Sequence, residues 1–235
     1  MKKYTYEDFL QIIETLRSEN GCPWDREQTH MSLRPCMMEE VAEVMAGIRI
    51  YDRTGDYENL REELGDLLLQ VVMHAQIAKE EGIFTMEDVV QEVAEKMVRR
   101  HPHVFGDVEV NGSGQVLENW EEIKKKEKAV KEQIVTPLQE IPEELPALAR
   151  ATKVLKKADK HYEPGKDYAA CVDALEAACK ALKECEPSDY NEAVSEQVGE
   201  ALMALCGVSR NCKLSPEQLL SDQIVKVIEQ YEAII

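Results

Sequence analysis

The chain is poor in the residues that build turn-rich folds. Among 235 residues there are eleven glycines, nine prolines and three phenylalanines, with aromatics at 6% overall. So few turn formers and strand-favouring aromatics exclude a sandwich or barrel. The longest apolar-rich stretch without a charge lies within Leu67 to Ala78, too short to span a bilayer. The N-terminal MKKYTYEDFL lacks the apolar core of a signal peptide. Seven cysteines form no CxxC pair and have no zinc-ligand spacing, so they read as reduced thiols of a cytoplasmic protein. Positive charge is also short: 28 Lys and Arg against 46 Asp and Glu leave a net charge of −18. Such a surface repels phosphate backbones and anionic lipid, which argues against nucleic-acid and membrane partners. A small phosphorylated ligand remains compatible, provided a cation or a local basic cluster offsets the field.

What is abundant is helix-forming. Ala, Leu, Glu and Lys dominate, and apolar residues recur at helical spacing, which predicts an all-α fold. The expected helices cover about Thr5–Glu19, Ser32–Tyr51, Gly55–Glu81, Thr85–His101 and Val116–Lys131, with a loop at Asn20–Asp25. Four more follow at about 147–161, 168–185, 189–211 and 216–234, the last opened by a capping-box pattern at Ser215-Pro216-Glu217-Gln218. Three prolines within Thr136–Pro146 suggest a linker, here bounded at 134–146, between regions 1–133 and 147–235. A weak internal repeat crosses it. EELGDLL at 62–68 is echoed by EQVGEAL at 196–202, and FTMEDVV at 84–90 by LSPEQLL at 214–220. Two copies of one helical unit are expected.

Two acidic clusters carry the candidate chemistry: Glu39, Glu40 and Glu43 on the second helix, and Glu62, Glu63 and Asp66 on the third. At about 100° per residue, Glu40 and Glu43 share one side of their helix, as do Glu63 and Asp66. Two antiparallel helices side by side can therefore converge four carboxylates. Such a cluster repels itself unless it holds a cation, and hard oxygen donors select Mg²⁺ or Mn²⁺ over zinc. The competing reading is a solvated acidic face beside an apolar stripe of Met37, Val41, Val44, Met45 and Ile48. Spacing alone leaves both open.

The ordered motifs GCPWD at 21–25, QTH at 28–30, EExxE at 39–43, ELGDLLLQVV at 63–72 and RRHPHVF at 99–105 together resemble the MazG family. The resemblance is strong over about residues 8–130 and weak beyond. It implies a dimeric, Mg²⁺-dependent, tandem-repeat nucleoside triphosphate pyrophosphohydrolase that releases a nucleoside monophosphate and pyrophosphate. It places metal ligands at Glu40, Glu43, Glu63 and Asp66, with Glu39 supporting the ligands or orienting the attacking water. It also implies a cytoplasmic role in clearing the nucleotide pool. Lys96, Arg99 and Arg100 share a helix face and suit a clamp on the β- and γ-phosphates; their alternative is ordinary pairing of cations with a helix C-terminus. Trp120 resembles the family's nucleotide-side aromatic, or serves as a packing anchor. Trp24 is open in the same way, with packing favoured, and Asn59 precedes the third helix where relatives approach the nucleotide. His101 and His103 lack nearby further ligands and make a poor zinc site, and Lys124–Lys126 reads as a solvated surface.

The second copy departs from this pattern. Ala177, Lys180 and Gln197 stand opposite Glu40, Glu43 and Glu63, and Glu229 and Gln230 opposite the arginines; only Glu176, Glu196 and Glu200 keep a carboxylate. Chemistry is expected from the first copy. A non-catalytic nucleotide-binding or scaffolding module is the alternative.

Overall fold

The computed structural model describes residues 2–130, 136–185 and 191–233, with side chains 128–130 excepted. The described residues form helices, turns and bends and contain no strand, as the composition predicts. They divide into two compact units, Met1–Glu127 and Lys128–Ile235.

The first unit begins with α1 (Tyr6–Arg17), fixed by a capping box in which Thr5 and Asp8 satisfy each other's backbone N–H. The loop expected next instead contains a short helix, α2 (Pro23–Glu27), because Pro23 at its first position already has helical φ and needs no N–H partner. The long helices α3 (Arg34–Thr54) and α4 (Glu58–Glu80) follow. Gly55 adopts a left-handed φ of 75° and donates its N–H to the Tyr51 carbonyl, so α3 runs three residues past its expected end. The Thr85–Asp88 capping box starts α5 (Met86–Arg100). A short α6 (Pro102–Phe105) and α7 (Ser113–Val130) follow, the unit ending at Glu127 within α7; Lys131, the expected end of α7, lies outside the described residues.

Ile13, Leu33, Val72, Met73 and Ile77 form the core of this unit, with Phe9, Leu10, Leu16, Leu69 and Met86 packed against it. Arg17 ties the parts together. Its guanidinium donates to Glu80 on α4 at 2.7–3.2 Å and to the carbonyls of Asp25 and Gln28 at 2.5 and 3.2 Å. The loop leading to α3 is pinned further by His30, whose Nδ1 lies 2.7 Å from Nδ1 of His74 on α4.

One packing expectation fails. Of the α3 stripe, only Val44 is buried; Val41, Met45 and Ile48 are between two-fifths and half exposed. Helix α4 covers α3 along the face bearing Val44 and Gly47, which leaves Val41, Met45 and Ile48 exposed.

The second unit holds α8 (Ala147–His161), α9 (Tyr168–Glu184), α10 (Glu192–Asn211) and α11 (Pro216–Glu232). Residues 189, 190 and 234 of the expected helices lie outside the described residues, as do 134 and 135 of the proline segment. Residues 136–146 pack onto α8: Ile141 is buried, and Lys157 donates to the Pro137 carbonyl and the Glu140 carboxylate. The capping box predicted at Ser215 does not form. Glu217 instead accepts from the free N–H groups of Leu148 and Ala149 at the start of α8. The apolar side chains of Val198, Leu202, Leu205, Leu219, Ile224 and Ile228 are all more than two-fifths exposed. All seven cysteines are free thiols.

Candidate active site

The site depends first on how close α3 and α4 approach. Gly47 is buried, and a Cβ placed on it would stand 2.9 Å from the Leu60 Cα. The contact sets Glu40 and Glu43 of α3 beside Glu63 of α4. One carboxylate oxygen from each of Glu40, Glu43 and Glu63 then lies within 4.8 Å of the others. Among the described residues these three form the only such group of His, Cys, Asp or Glu side chains.

The electrostatics record the crowding. Burial pushes the Glu40 carboxyl above its ordinary value, and the charges of Asp66, Glu43 and Glu63 push it further. Asp66 is thus near enough to act on Glu40, but it lies outside the three converging groups. Asn59 donates its side-chain N–H to Glu63 at 2.8 Å, which fixes that carboxylate's direction; in this arrangement Asn59 serves the acidic cluster. Glu39 is exposed and also outside the converging three. The residues present suit a hard divalent cation: oxygen donors alone, drawn from two rigid helices, with no thiol or imidazole among them.

The basic residues at the end of α5 have partners of their own. Arg99 Nε donates to Glu127 at 2.7 Å, and Arg100 donates to the same carboxylate through Nε at 3.1 Å and Nη2 at 2.5 Å. Arg100, then Arg99, hold the Glu127 carboxyl down at about 2. The Arg100 guanidinium also lies 5.2 Å from the centre of the Trp120 ring, and His101 meets that ring edge-on. Trp120 therefore packs against the end of α5. Lys96 is half-buried, with no ion pair among the described residues. Trp24 is 60% exposed, so the packing role favoured for it is not realised in this chain. His101 and His103 lie with ring centres 5.7 Å apart and join no carboxylate or thiol group.

Spacing alone missed three features. Gly47 carried a signal, since a glycine inside a long helix costs about 1 kcal/mol relative to alanine and calls for a reason. Glu127 stands seven residues after Trp120, two turns along the same face of α7, but its neighbouring lysines disguised it as part of a solvated run. The His30–His74 pair joins residues distant in sequence and left no local pattern. In the second unit Glu176, Glu196 and Glu200 are exposed and do not converge.

Comparison with known proteins follows this geometry closely. The family profile described as MazG nucleotide pyrophosphohydrolase domain matches residues 28–105, which include the acidic cluster and the α5 arginines. The chain is 40% identical over 227 residues to the nucleoside triphosphate pyrophosphohydrolase/pyrophosphatase MazG of Thermotoga maritima, covering 97% of this chain and 84% of that protein. It is 38% identical over 226 residues to the nucleoside triphosphate pyrophosphohydrolase of Escherichia coli K12, covering 95% and 82%. An uncharacterized Bacillus subtilis protein, YabN, is 44% identical over 221 residues; there the match covers 93% of this chain but 44% of the relative.

Proposed function

The chain belongs to the MazG family of nucleotide pyrophosphohydrolases, and we propose that its first helical unit hydrolyses nucleoside triphosphates to monophosphate and pyrophosphate at a Mg²⁺ centre, with Mn²⁺ as a substitute. Both ribo- and deoxyribonucleotides fall within the proposal, and the cellular role is removal of unwanted nucleotides in the cytoplasm. The observation that carries it is the convergence of Glu40, Glu43 and Glu63 within 4.8 Å, with Asp66 acting on the same centre. Burial raises the Glu40 carboxyl, and, held this close without a cation, the neighbouring carboxylates oppose its ionisation further.

Glu40, Glu43, Glu63 and Asp66 would hold the metal, with Asn59 orienting Glu63. When bound, the ion neutralises triphosphate charge and polarises a phosphoryl oxygen. Glu39, adjacent in sequence but solvent-exposed, is free to orient a water and take its proton. Lys96, Arg99 and Arg100 supply the positive charge for the β- and γ-phosphates, which an otherwise acidic surface lacks. Trp120, beside Arg100, and exposed Trp24 offer ring faces for the base.

The proposal extends to architecture. Each unit centres on a long pair, α3 with α4 and α9 with α10, which supports a tandem repeat whose second copy has lost its chemistry. The domain division we propose with it is 1–133 active, 134–146 linking and 147–235 degenerate. The exposed apolar side chains of α3 are the surface for a homodimer, which light scattering after gel filtration tests directly.

The deciding experiment incubates the purified protein with Mg²⁺ and a nucleotide panel and resolves the products by anion exchange. Monophosphate and pyrophosphate are expected. Diphosphate with orthophosphate as primary products would overturn the reaction, and nucleotide binding without turnover would make the protein a binding or scaffolding module.

A further inference from the structure

The carboxylate of Glu127 bridges the guanidiniums of Arg99 and Arg100. It accepts three well-directed N–H groups from two adjacent guanidiniums, the fork arrangement by which arginines grip phosphate as readily as carboxylate. With its carboxyl held at about 2, Glu127 is fully ionised at neutral pH. The same helix places the Trp120 ring 5.2 Å from the Arg100 guanidinium, so two residues of α7 engage one side chain of α5. Arg99 is half exposed, whereas Arg100 is only 16% exposed. A ligand can reach Arg99 at once, but it can engage both arginines only after the carboxylate leaves.

We infer that Glu127 is a built-in competitor for the phosphate subsite: it holds Arg99 and Arg100 in the nucleotide-free enzyme and is exchanged for the terminal phosphates of the substrate. The inference rests on reading Arg99 and Arg100 as phosphate-binding residues. Its physical consequence is a selective threshold. A single phosphate replaces one carboxylate with little gain, while a triphosphate that also reaches the acidic centre gains contacts elsewhere and displaces Glu127. A latch closed nine-tenths of the time lowers apparent affinity about tenfold. Departure of Glu127 also removes the ion pair fastening α7 to α5, so nucleotide binding changes the surroundings of Trp120.

The test measures binding of inorganic tripolyphosphate, with Mg²⁺, to the full chain by calorimetry; this probe has no base and isolates the phosphate subsite. Glu127→Gln should bind about tenfold more tightly, and Glu127→Asp, a methylene shorter, should shift the same way by less. Arg99→Ala with Arg100→Ala should bind more weakly. A Glu127→Gln protein that folds and binds tripolyphosphate no more tightly than wild type overturns the inference. If it does not fold, the Glu127→Asp result decides in the same way. An arginine double variant with unchanged affinity overturns instead the phosphate-clamp reading beneath it. A separate readout uses Trp24→Phe, which leaves Trp120 as the single tryptophan. Tripolyphosphate should change its emission, and an unchanged spectrum at saturation is evidence against the exchange.

Discussion

Gly47 of α3 faces the backbone of Leu60 of α4 so closely that a Cβ on the glycine would stand 2.9 Å from the Leu60 Cα and 3.1 Å from its nitrogen. The obstacle is main chain, which cannot swing aside, and the Asn59 side chain that holds Glu63 lies 3.2 Å from the same point. The spacing of the acidic cluster is therefore set by a residue that has no chemistry.

Replacing Gly47 with alanine should separate two effects. Alanine favours the helix by about 1 kcal/mol, while overpacking costs about 1–3 kcal/mol, so the net loss of stability should be at most about 2 kcal/mol. Turnover should fall much further, since a shift on the order of 1 Å at a reacting centre can cost a hundredfold. Thermal melting beside steady-state kinetics checks it; a Gly47→Ala enzyme with wild-type turnover would show that the approach of α3 to α4 does not tune the site.

Glu40→Gln should nearly abolish Mg²⁺-dependent turnover and leave the circular dichroism spectrum helical. Because the Glu40 carboxyl is raised, its charge destabilises the metal-free fold at neutral pH, so the same variant should melt higher than wild type without metal. Mg²⁺ at a hundred times its Kd should stabilise wild type by about 2.7 kcal/mol and Glu40→Gln far less. Full wild-type activity in excess chelator would remove the metal from the reaction.

Arg17 is 5% exposed and fastens α1, the α2 loop and α4. Arg17→Ala should cost about 2–3 kcal/mol, below the full value for a buried pair because water reaches Glu80. Burial pushes the Glu80 carboxyl up, yet Arg17, Gln76 and Lys79 outweigh it and hold it low. The pair's contribution is therefore present above the ordinary carboxylate range and lost as pH falls through the lowered value, and chemical denaturation at neutral and acidic pH should show it.

The His30–His74 pair predicts a different pH window. Two Nδ1 atoms 2.7 Å apart can share one proton but not carry two, and burial, then the charge of His30, depresses His74 below its ordinary value. A depressed histidine binds its proton more readily in the unfolded chain, so stability should fall as pH drops from about 6.5 toward the lowered value, by at most about 1.4 kcal/mol per pH unit. The Glu81 carboxylate lies 3.9 Å from His30 Nε2. Melting curves from pH 7.5 to 5.5 should flatten in His30→Gln with His74→Gln; an unchanged slope would assign the dependence to other groups.

Glu176→Gln, Glu196→Gln and Glu200→Gln together should leave kcat nearly unchanged, because these exposed acids do not converge in the second unit. A folded triple variant that had lost most of its turnover would make that unit catalytic.

Much of this protein follows from local rules that a sequence displays. Helical spacing and the Thr5 and Thr85 capping boxes specify an all-α chain, because each depends on residues within one or two turns. The i, i+3 spacing likewise puts Glu40 with Glu43, and the ordered motifs identify the family. Tertiary structure decided which of these residues meet and which stay unpartnered. The exposure of Val41, Met45 and Ile48 depends on which face of α3 receives α4, and apolar spacing does not distinguish a core face from one awaiting another surface. Convergence of Glu63 with Glu40 and Glu43 required the Gly47 approach. Pairing of Glu127 with Arg99 and Arg100 required α7 to return across α5 over 27 residues of chain. Contacts between distant segments depend on helix crossing and loop path, which no single helix encodes.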